Sequence, residues 1–433
     1  MTENKCLTRA PRVLDLTDKN GYLCGKIWAD LGADVIKVEK PGGDADRCIG
    51  PFYEQVPDRN RSLMWFAYNR NKRGITLNLA SADGQHLFTN LVKNADVLVE
   101  SFVSGYMDGL GLGYSSLSAV NPRLIYTAIT PFGQTGPYKS FKASDLVVMA
   151  MSGLLYITGR PDGPPVRISF PQSFLLAAAH AAAASMIAYF HRETSGRGQY
   201  VDVSAQECVL WEIANAVPLW ELNGKSLKRF GSYLSGRWTD TKQRLLWPCK
   251  DGYVIFYILG GAFGVKTNRA TVAWLEEEGL APDYISNIDW ANVDMSVQTQ
   301  EMQDRLETPI ADLFLRHTKA ELYAEALKRK IMLSPVATAK DIFEDPDIFP
   351  KDGHFRLVLR LLRLIFHPYV TLGSSIPYAK SVSRFVNTTT NVNTTVTAII
   401  EGKSSERMAV VVYRPIPGQK NTVSTTIAPD SKS

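Results

Sequence analysis

The fold is decided by the stretch Arg12-Val-Leu-Asp-Leu-Thr-Asp-Lys-Asn-Gly-Tyr-Leu-Cys-Gly-Lys-Ile-Trp-Ala-Asp-Leu-Gly-Ala-Asp-Val-Ile-Lys-Val-Glu-Lys-Pro41. Residues 13–16 and 35–38 are apolar runs typical of short buried strands. Between them, apolar side chains recur at helical spacing from Leu23 to Leu31, and Gly32 is a typical helix-ending residue. A strand, a helix and a strand within about 30 residues predict a βαβ unit with parallel strands and a right-handed crossover.

Parallel sheets bind ligands at the carboxyl ends of their strands, close to helix N-termini whose free N–H groups suit phosphate. Gly42-Gly43 follows the second strand, and the basic turn Asn69-Arg-Asn-Lys-Arg73 precedes another apolar run. Either could hold phosphate, although a solvated basic turn is an equally good interpretation of the second. The chain has no GxGxxG and no GxxxxGK[ST] motif, so neither a Rossmann dinucleotide site nor a nucleoside-triphosphate loop is predicted.

Composition indicates a globular protein and excludes several functions. The length of 433 residues predicts two or three domains, and a hydrophobic fraction of 45% is enough to form their cores. The Lys and Arg residues behind the net charge of +5 are too dispersed to form a nucleic-acid-binding arm. Five cysteines without a CxxC pair predict a reducing compartment, and six scattered histidines predict no metal site. The N-terminal region lacks a secretory pattern. The most apolar stretch, 174–190, is alanine-rich and contains His180, which favours a buried helix over a membrane span. We therefore expect a cytoplasmic protein.

Strands and helices are predicted to alternate along the chain, which gives an α/β fold. The remaining strands are predicted at 75–79, 97–99, 124–130 and 200–203, and helices at 81–94, 145–155, 173–192, 205–222, 271–278, 297–316 and 319–329. The composition shifts at Asn223, where a second, smaller domain is expected to begin. Asp145 begins an apolar helix and is either a helix-capping carboxylate or a ligand group. Gly260-Gly261 is either a mobile active-site loop or a tight turn.

A series of motifs in order resembles the class III CoA-transferases. They are Val13-Leu-Asp-Leu, Leu31-Gly-Ala-Asp-Val-Ile-Lys-Val-Glu-Lys-Pro, Asn69-Arg-Asn-Lys-Arg, Ala95-Asp-Val-Leu-Val-Glu-Ser-Phe, Leu110-Gly-Leu-Gly-Tyr, Asn121-Pro-Arg-Leu-Ile-Tyr, Phe132-Gly-Gln-Thr-Gly-Pro-Tyr, Ser152-Gly-Leu and Arg192-Glu-Thr-Ser-Gly-Arg-Gly-Gln-Tyr-Val-Asp-Val. The resemblance is dense over residues 12–210 and thinner beyond. The family includes formyl-CoA, carnitine and benzylsuccinate CoA-transferases and the α-methylacyl-CoA racemases.

The resemblance implies a Rossmann-like parallel-sheet large domain, a smaller α+β domain and an interlocked dimer. Residues 1–222 would form the N-terminal part of the CoA-binding large domain and 223–345 the small domain, and 346–433 would return to the large domain and end in an irregular tail. Coenzyme A or an acyl-CoA would be the substrate, with a carboxylic acid as acceptor and no metal. The implied CoA-site residues are Lys40, Lys72, Phe102, Lys142, Asp145, Gly260 and Gly261.

One departure from the family pattern concerns the chemistry itself. Transferases of this family use an aspartate near the start of the long alanine-rich helix as nucleophile, because its acyl adduct is an activated anhydride. Here that position is Phe174, and no Asp or Glu lies between Gly163 and Arg192. The racemase pattern is also broken, since Ser144 stands where racemases have a histidine. The catalytic residue is therefore unknown.

Some heteromeric members of the family have one subunit that lacks the aspartate, and this chain resembles such a subunit. Its partner would be a homologous catalytic subunit, with a homodimer as the other arrangement. The acid substrate would be aromatic or dicarboxylic. Two alternatives stay open: a non-catalytic acyl-CoA-binding or regulatory protein on the same fold, and catalysis by another carboxylate, for which Asp145 is the nearest candidate. No nucleic acid or membrane partner is expected.

Overall fold

A computed structural model describes residues 10–235, 241–294 and 297–345, together with three strands between 382 and 412. The first part of the chain forms a six-stranded parallel sheet and the helices around it. Its strands are β1 Arg12–Leu16, β2 Asp34–Glu39, β3 Arg73–Thr76, β4 Val97–Glu100, β5 Ile125–Thr130 and β6 Tyr200–Ser204. Its helices are α1 Tyr22–Asp30, α2 Leu63–Asn69, α3 Ala82–Val92, α4 Tyr106–Gly109, α5 Tyr114–Val120, α6 Asp145–Met151, α7 Leu154–Ile157, α8 Ser173–Ser195, α9 Ala205–Trp211 and α10 Ala216–Asn223.

The strand order is β3-β2-β1-β4-β5-β6, which is the doubly wound order of a Rossmann-like sheet. Val13 of β1 lies opposite Val35 of β2 on one side and Val97 of β4 on the other, and every neighbouring pair is parallel. Nearly all residues of β1, β2, β4 and β5 are buried, as expected for a sheet covered on both faces. This confirms the predicted βαβ unit and the α/β class.

Helix α8 lies at the centre of one face of the sheet. Its alanines Ala177, Ala178, Ala181 and Ala182 are buried in a core shared with β1, β4 and β5, because small side chains allow a helix to approach a sheet closely. Among the described residues α8 is the one helix long and apolar enough to cross a membrane by length and composition. Its packing against the sheet identifies it as a core helix, in agreement with the prediction.

A second group of elements forms its own hydrophobic core. It contains β7 Tyr233–Ser235, β8 Lys242–Arg244, β9 Leu246–Cys249, β10 Gly252–Ile255, α11 Gly261–Glu277, α12 Asp283–Ser286, α13 Gln300–Arg316, α14 Lys319–Arg329, β11 Ser334–Pro335 and α15 Ala339–Glu344. Strands β9, β10 and β11 form an antiparallel sheet. The rings of Trp247, Phe256 and Phe314 pack edge to face at its centre.

A further compact unit, residues 366–433, contains three antiparallel strands. These are β12 Val382–Thr390, β13 Asn393–Glu401 and β14 Arg407–Val412. The predicted return of 346–433 to the large domain falls mostly outside the described residues and stays a prediction.

Several predicted boundaries were wrong. Strand β3 begins and ends before the predicted 75–79, because it is an edge strand paired only with β2 and little buried. The helix predicted at 145–155 is divided into α6 and α7 at Gly153, whose φ of +87° is left-handed. The helix predicted at 205–222 is also divided in two, into α9 and α10. Helix α11 starts ten residues before the predicted 271.

Candidate active site

The strand order reverses direction between β1 and β4, because the chain proceeds from β1 to β2 and β3 on one side and from β4 to β5 and β6 on the other. Ligands of doubly wound sheets bind in the crevice at such a switch point. Here a reciprocal pair of hydrogen bonds bridges the crevice. The Asp18 N–H donates to Ser101 Oγ at 2.8 Å, and that hydroxyl donates to Asp18 Oδ1 at 2.8 Å.

The crevice rim is acidic. Burial and the neighbouring carboxylates of Asp46 and Asp44 raise the pKa of Asp18 despite its hydrogen bond from Ser101. The side chain of Lys19 in this loop is exposed, and the backbone N–H of Lys19 donates to Asp46 Oδ2 at 2.8 Å. The carboxylates of this rim can accept hydrogen bonds from the amide or amino groups of a ligand. Phosphate groups of a ligand would need positively charged residues outside this rim.

Beneath the crevice lies a buried ionic network centred on Asp15. Lys72 Nζ is 2.8 Å from Asp15 Oδ2 and also donates to the Tyr22 carbonyl at 2.9 Å and to Asn69 Oδ1 at 3.0 Å. Lys37 Nζ lies 3.4 Å from the other carboxylate oxygen. Burial alone would raise the pKa of Asp15, but the two ammonium groups and the Lys72 and Thr17 hydrogen bonds hold it at about 2.

Lys72 is therefore placed in the interior, with only 1% of its side chain exposed. The other two predicted lysines are exposed: Lys40 directly follows β2, and Lys142 precedes α6. Phe102 follows β4, half-buried, with its ring centroid 4.7 Å from that of Tyr106. Lys40 and Phe102 thus lie at the carboxyl ends of β2 and β4, where the crevice opens, while Lys72 is occupied by the protein itself.

The carboxylate of Asp145 connects two helices. Asp145 is the first residue of α6, but its Oδ1 accepts hydrogen bonds from the N–H groups of Gln172 and Ser173, at 2.8 and 2.9 Å, and from Ser173 Oγ at 2.8 Å. Gln172 is the residue before α8, so Asp145 caps the N-terminus of α8 from 27 residues away. Three donors on one oxygen commit the carboxylate to the helix end and make it a poor nucleophile.

Phe174 is the second residue of α8, within the first turn and next to the capped residue Ser173. Its side chain is half-buried and packs against the core that surrounds the alanines of α8. An aromatic ring offers neither a nucleophile nor a general base, so Phe174 cannot form an acyl adduct. The capped helix end still provides a fixed position beside which a substrate could lie.

The two glycines of the predicted loop begin a helix. Gly260 is the residue preceding α11, and Gly261 is its first residue, with φ of +64°. A side chain added at Gly261 would meet no atom within 4 Å, so the backbone angle and not space favours glycine there.

Comparison with known proteins gives these observations a family. A model described as CoA-transferase family III matches residues 11–358. The chain is 37% identical over 343 residues to the succinyl-CoA:(R)-benzylsuccinate CoA-transferase subunit BbsE of Thauera aromatica, covering 78% of this chain and 80% of that protein. It is 33% identical to the succinyl-CoA–D-citramalate CoA-transferase of Chloroflexus aurantiacus, covering 77% and 79%.

A crystal structure of a CAIB/BAIF family protein from Brucella suis matches with a TM-score of 0.62 at 29% identity, covering 79% of this chain and 87% of that one. The chain belongs to CoA-transferase family III. The predicted function, transfer of CoA between an acyl-CoA and a carboxylic acid, is thus confirmed at the level of the family.

Sequence reasoning missed the bridge between Asp18 and Ser101 and the two lysines that share Asp15. Both features join residues that are far apart in the sequence and adjacent only because β1 pairs with β2 and β4. One signal was available: Asp15 and Lys37 are charged residues inside apolar strand runs, and buried charges require partners.

Proposed function

We propose that this chain is the subunit without a nucleophile in a heteromeric CoA-transferase. The observation that carries the proposal is Phe174 at the start of α8, in a stretch without any Asp or Glu from 164 to 192. The nearby Asp145 is committed to capping α8. A similar protein is itself named as a subunit, BbsE, of a succinyl-CoA:(R)-benzylsuccinate CoA-transferase.

The chemistry would then take place on a homologous partner that carries the aspartate. Its carboxylate would attack the thioester carbonyl and release CoA thiolate, leaving a mixed anhydride. The thiolate would attack the aspartyl carbonyl and release the donor acid, and the acceptor acid would reverse the sequence. The acceptor would be aromatic or dicarboxylic, as the names of the similar transferases suggest.

CoA would bind in the crevice between β1 and β4. Asp18 and Ser101 would exchange their mutual hydrogen bonds for amide or amino groups of the ligand, and Phe102 would contact it with its ring. Lys40 and Lys142 are free to meet phosphates, since both are exposed. Gly260 and Gly261 would cover the acyl end. Lys72 and Asp145 would stabilise the elements around this site. Lys72 does so through its ion pair with Asp15 of β1, and Asp145 through its hydrogen bonds to the N-terminus of α8.

The assembly completes the proposal. Two chains would interlock, each with a large domain from residues 1–222 and 346–433 and a small domain from 223–345, and the enzyme would act in the cytoplasm. The separate cores of the sheet region and of residues 247–333 support the division near 223.

The test is a transfer assay on the chain alone and with a homologous subunit that carries the aspartate. CoA transfer from succinyl-CoA to aromatic and dicarboxylic acids is followed by chromatography. We expect no transfer by the chain alone and transfer by the pair. Robust transfer by the wild-type chain alone would refute the proposal.

Phe174→Asp and its matched control Phe174→Asn test the position directly. Aspartate and asparagine have side chains of nearly the same size and shape, but only the carboxylate of aspartate can form an acyl adduct. Hydroxylamine captures such adducts on the protein, so the Asp variant incubated with succinyl-CoA should carry a hydroxamate on residue 174, detected by peptide mass spectrometry, and the Asn variant none. A hydroxamate from the wild-type chain would point to another carboxylate.

A non-catalytic acyl-CoA-binding role is the second candidate, favoured by the same missing nucleophile. Calorimetry with CoA and capture of a homologous subunit separate the two functions. CoA binding without any stable partner would favour the binding protein, whereas a stoichiometric complex would favour the heteromeric enzyme.

A further inference from the structure

A second cavity lies beside the crevice, between the carboxyl end of β4, the amino-terminal parts of β5 and β6, and helices α4 and α5. Its volume is about 190 Å³, smaller than the roughly 300–1,000 Å³ of sites for drug-sized ligands. It therefore suits a small molecule. The residues that give it its chemistry are Glu100, Tyr106, Asp108, Tyr114, Tyr126 and Tyr200.

The cavity wall is rich in tyrosine rings that come from three different elements. The centroid of Tyr114 lies 5.3 Å from that of Tyr200 and 6.1 Å from that of Tyr126, and the last two are 5.5 Å apart. Tyrosine rings carry a negative face and attract cations within about 6 Å of the centroid. A ring face that lines the cavity can therefore contact an ammonium group.

The charge of the cavity is negative. Glu100 is only 4% exposed, and its Oε2 accepts a hydrogen bond from the Phe102 N–H at 2.6 Å. Its other oxygen, Oε1, accepts none from the residues that the structure describes. Asp108 supplies a second carboxylate, and the described residues lining the cavity include no Lys, Arg or His.

The groups that face Glu100 from neighbouring elements are also acidic. Burial raises its pKa to about 8, and the carboxylates of Asp108, Asp202 and Asp18 act in the same direction, against the hydrogen bond from Phe102. Glu100 in turn raises the pKa of the Tyr126 and Tyr200 hydroxyls, for which burial is the larger cause. A carboxylate in such acidic surroundings is stabilised as an anion when a cation enters.

The geometry points to a binding site for a small organic cation of the alkylammonium class, held against the tyrosine rings with Glu100 as its counter-ion. A metal ion is a poorer fit, because no three His, Cys, Asp or Glu side chains of the described residues are grouped to hold one. The proposal does not depend on CoA transfer, although the site adjoins the crevice: the Phe102 N–H donates to Glu100, and the Phe102 ring packs against Tyr106.

The experiment titrates the full chain with choline and with its neutral isostere 3,3-dimethylbutan-1-ol, by calorimetry or ligand-observed NMR. We expect saturable choline binding at pH 9, at least tenfold tighter than that of the isostere, because only choline carries charge. The affinity should fall at least tenfold at pH 6, where a proton occupies Glu100 and competes with the cation.

Variants locate the binding. Tyr200→Leu should weaken choline binding by about 2- to 30-fold, the range expected for one cation–π contact of ~0.5–2 kcal/mol. Tyr253→Leu is the matched control, an exposed tyrosine on strand β10 outside the cavity, and should leave the affinity unchanged. Glu100→Gln keeps the shape and an acceptor for the Phe102 N–H, and should weaken binding tenfold at pH 9 and abolish its pH dependence.

Three results would overturn the inference. These are no saturable choline binding at pH 9, equal affinity for the neutral isostere, and equal effects of Tyr200→Leu and Tyr253→Leu. The tyrosine variants decide the matter independently of Glu100→Gln, because Tyr200 is partly exposed and contributes less to the core.

Discussion

Lys72→Met tests whether the lysine of the Asn69–Arg73 turn serves the fold or the ligand. Family resemblance implies a contact with CoA, whereas the structure joins its ammonium group to Asp15, Tyr22 and Asn69. Methionine has a similar length and no charge. The substitution therefore removes the charge with little change in packing volume.

The expected loss of stability is about 3 kcal/mol. Removing one partner of a buried ion pair typically costs ~3–5 kcal/mol, because the other charge is left buried. Here the loss falls at the lower end, since Lys37 stays 3.4 Å from Asp15 and partly compensates it. The pKa of Asp15 supports a similar size: lowered from 3.8 to about 2 in the folded chain, it represents about 2 kcal/mol of stability.

Hydrogen–deuterium exchange of the β1 peptide measures this loss locally, without the assumption that all parts of the chain unfold together. A loss of 3 kcal/mol corresponds to roughly a hundredfold faster exchange where opening precedes it. Lys40→Met is the control, because Lys40 is exposed and its loss should change stability by less than about 0.5 kcal/mol.

Protection of β1 that is unchanged in Lys72→Met, together with weaker CoA binding, would refute the structural role. The pH dependence gives an independent check. Asp15 has a lowered pKa in the folded state, so its stabilisation is present above pH 3.8 and is lost as the pH falls towards 2. Lys72→Met should reduce this acid-dependent loss.

Three further outcomes are expected. Asp145→Ala should lower stability by about 1 kcal/mol in thermal unfolding, because the N-terminus of α8 loses its cap, and Asp145→Asn should lower it less. Glu100→Gln should stabilise the chain increasingly as the pH rises from 4.5 to 8, because the folded wild-type chain resists the ionisation of Glu100. The difference in the free energy of unfolding, measured in denaturant titrations, should reach about 5 kcal/mol. A constant difference across this pH range would contradict the reasoning. Arg192→Met should cost about 3 kcal/mol or more by the same method, because Arg192 pairs at 3.0 Å with Asp96 and both are buried; a change below 1 kcal/mol would contradict it.

The periodic parts of the sequence were sufficient to predict the core of the fold. Residues 12–41 contain two apolar runs and a helical repeat, and they form β1, α1 and β2 as expected. Helix α14 has the predicted bounds, 319–329, because Thr318 and Glu321 form a capping box that can be read directly from the chain. In both cases the signals lie within a few residues of the structure that they specify.

Boundaries failed where neighbours in space decided them. Strand β3 ends at Thr76 although apolar residues continue to Leu79, since only β2 is available to pair with it. The break between α6 and α7 depends on the left-handed angle of Gly153, and glycine inside an apolar helical pattern does not by itself announce such a break.

By itself, the sequence determined the α/β class, the family and the absence of a carboxylate at Phe174, because these depend on residue identity and short-range order. Only the tertiary structure decided that Lys72 serves Asp15, that Asp145 caps α8, and that tyrosines 114, 126 and 200 share one cavity with Glu100. Such contacts join residues 12 to 100 positions apart. They arise because the order and packing of the strands and helices place elements that are distant in the sequence side by side.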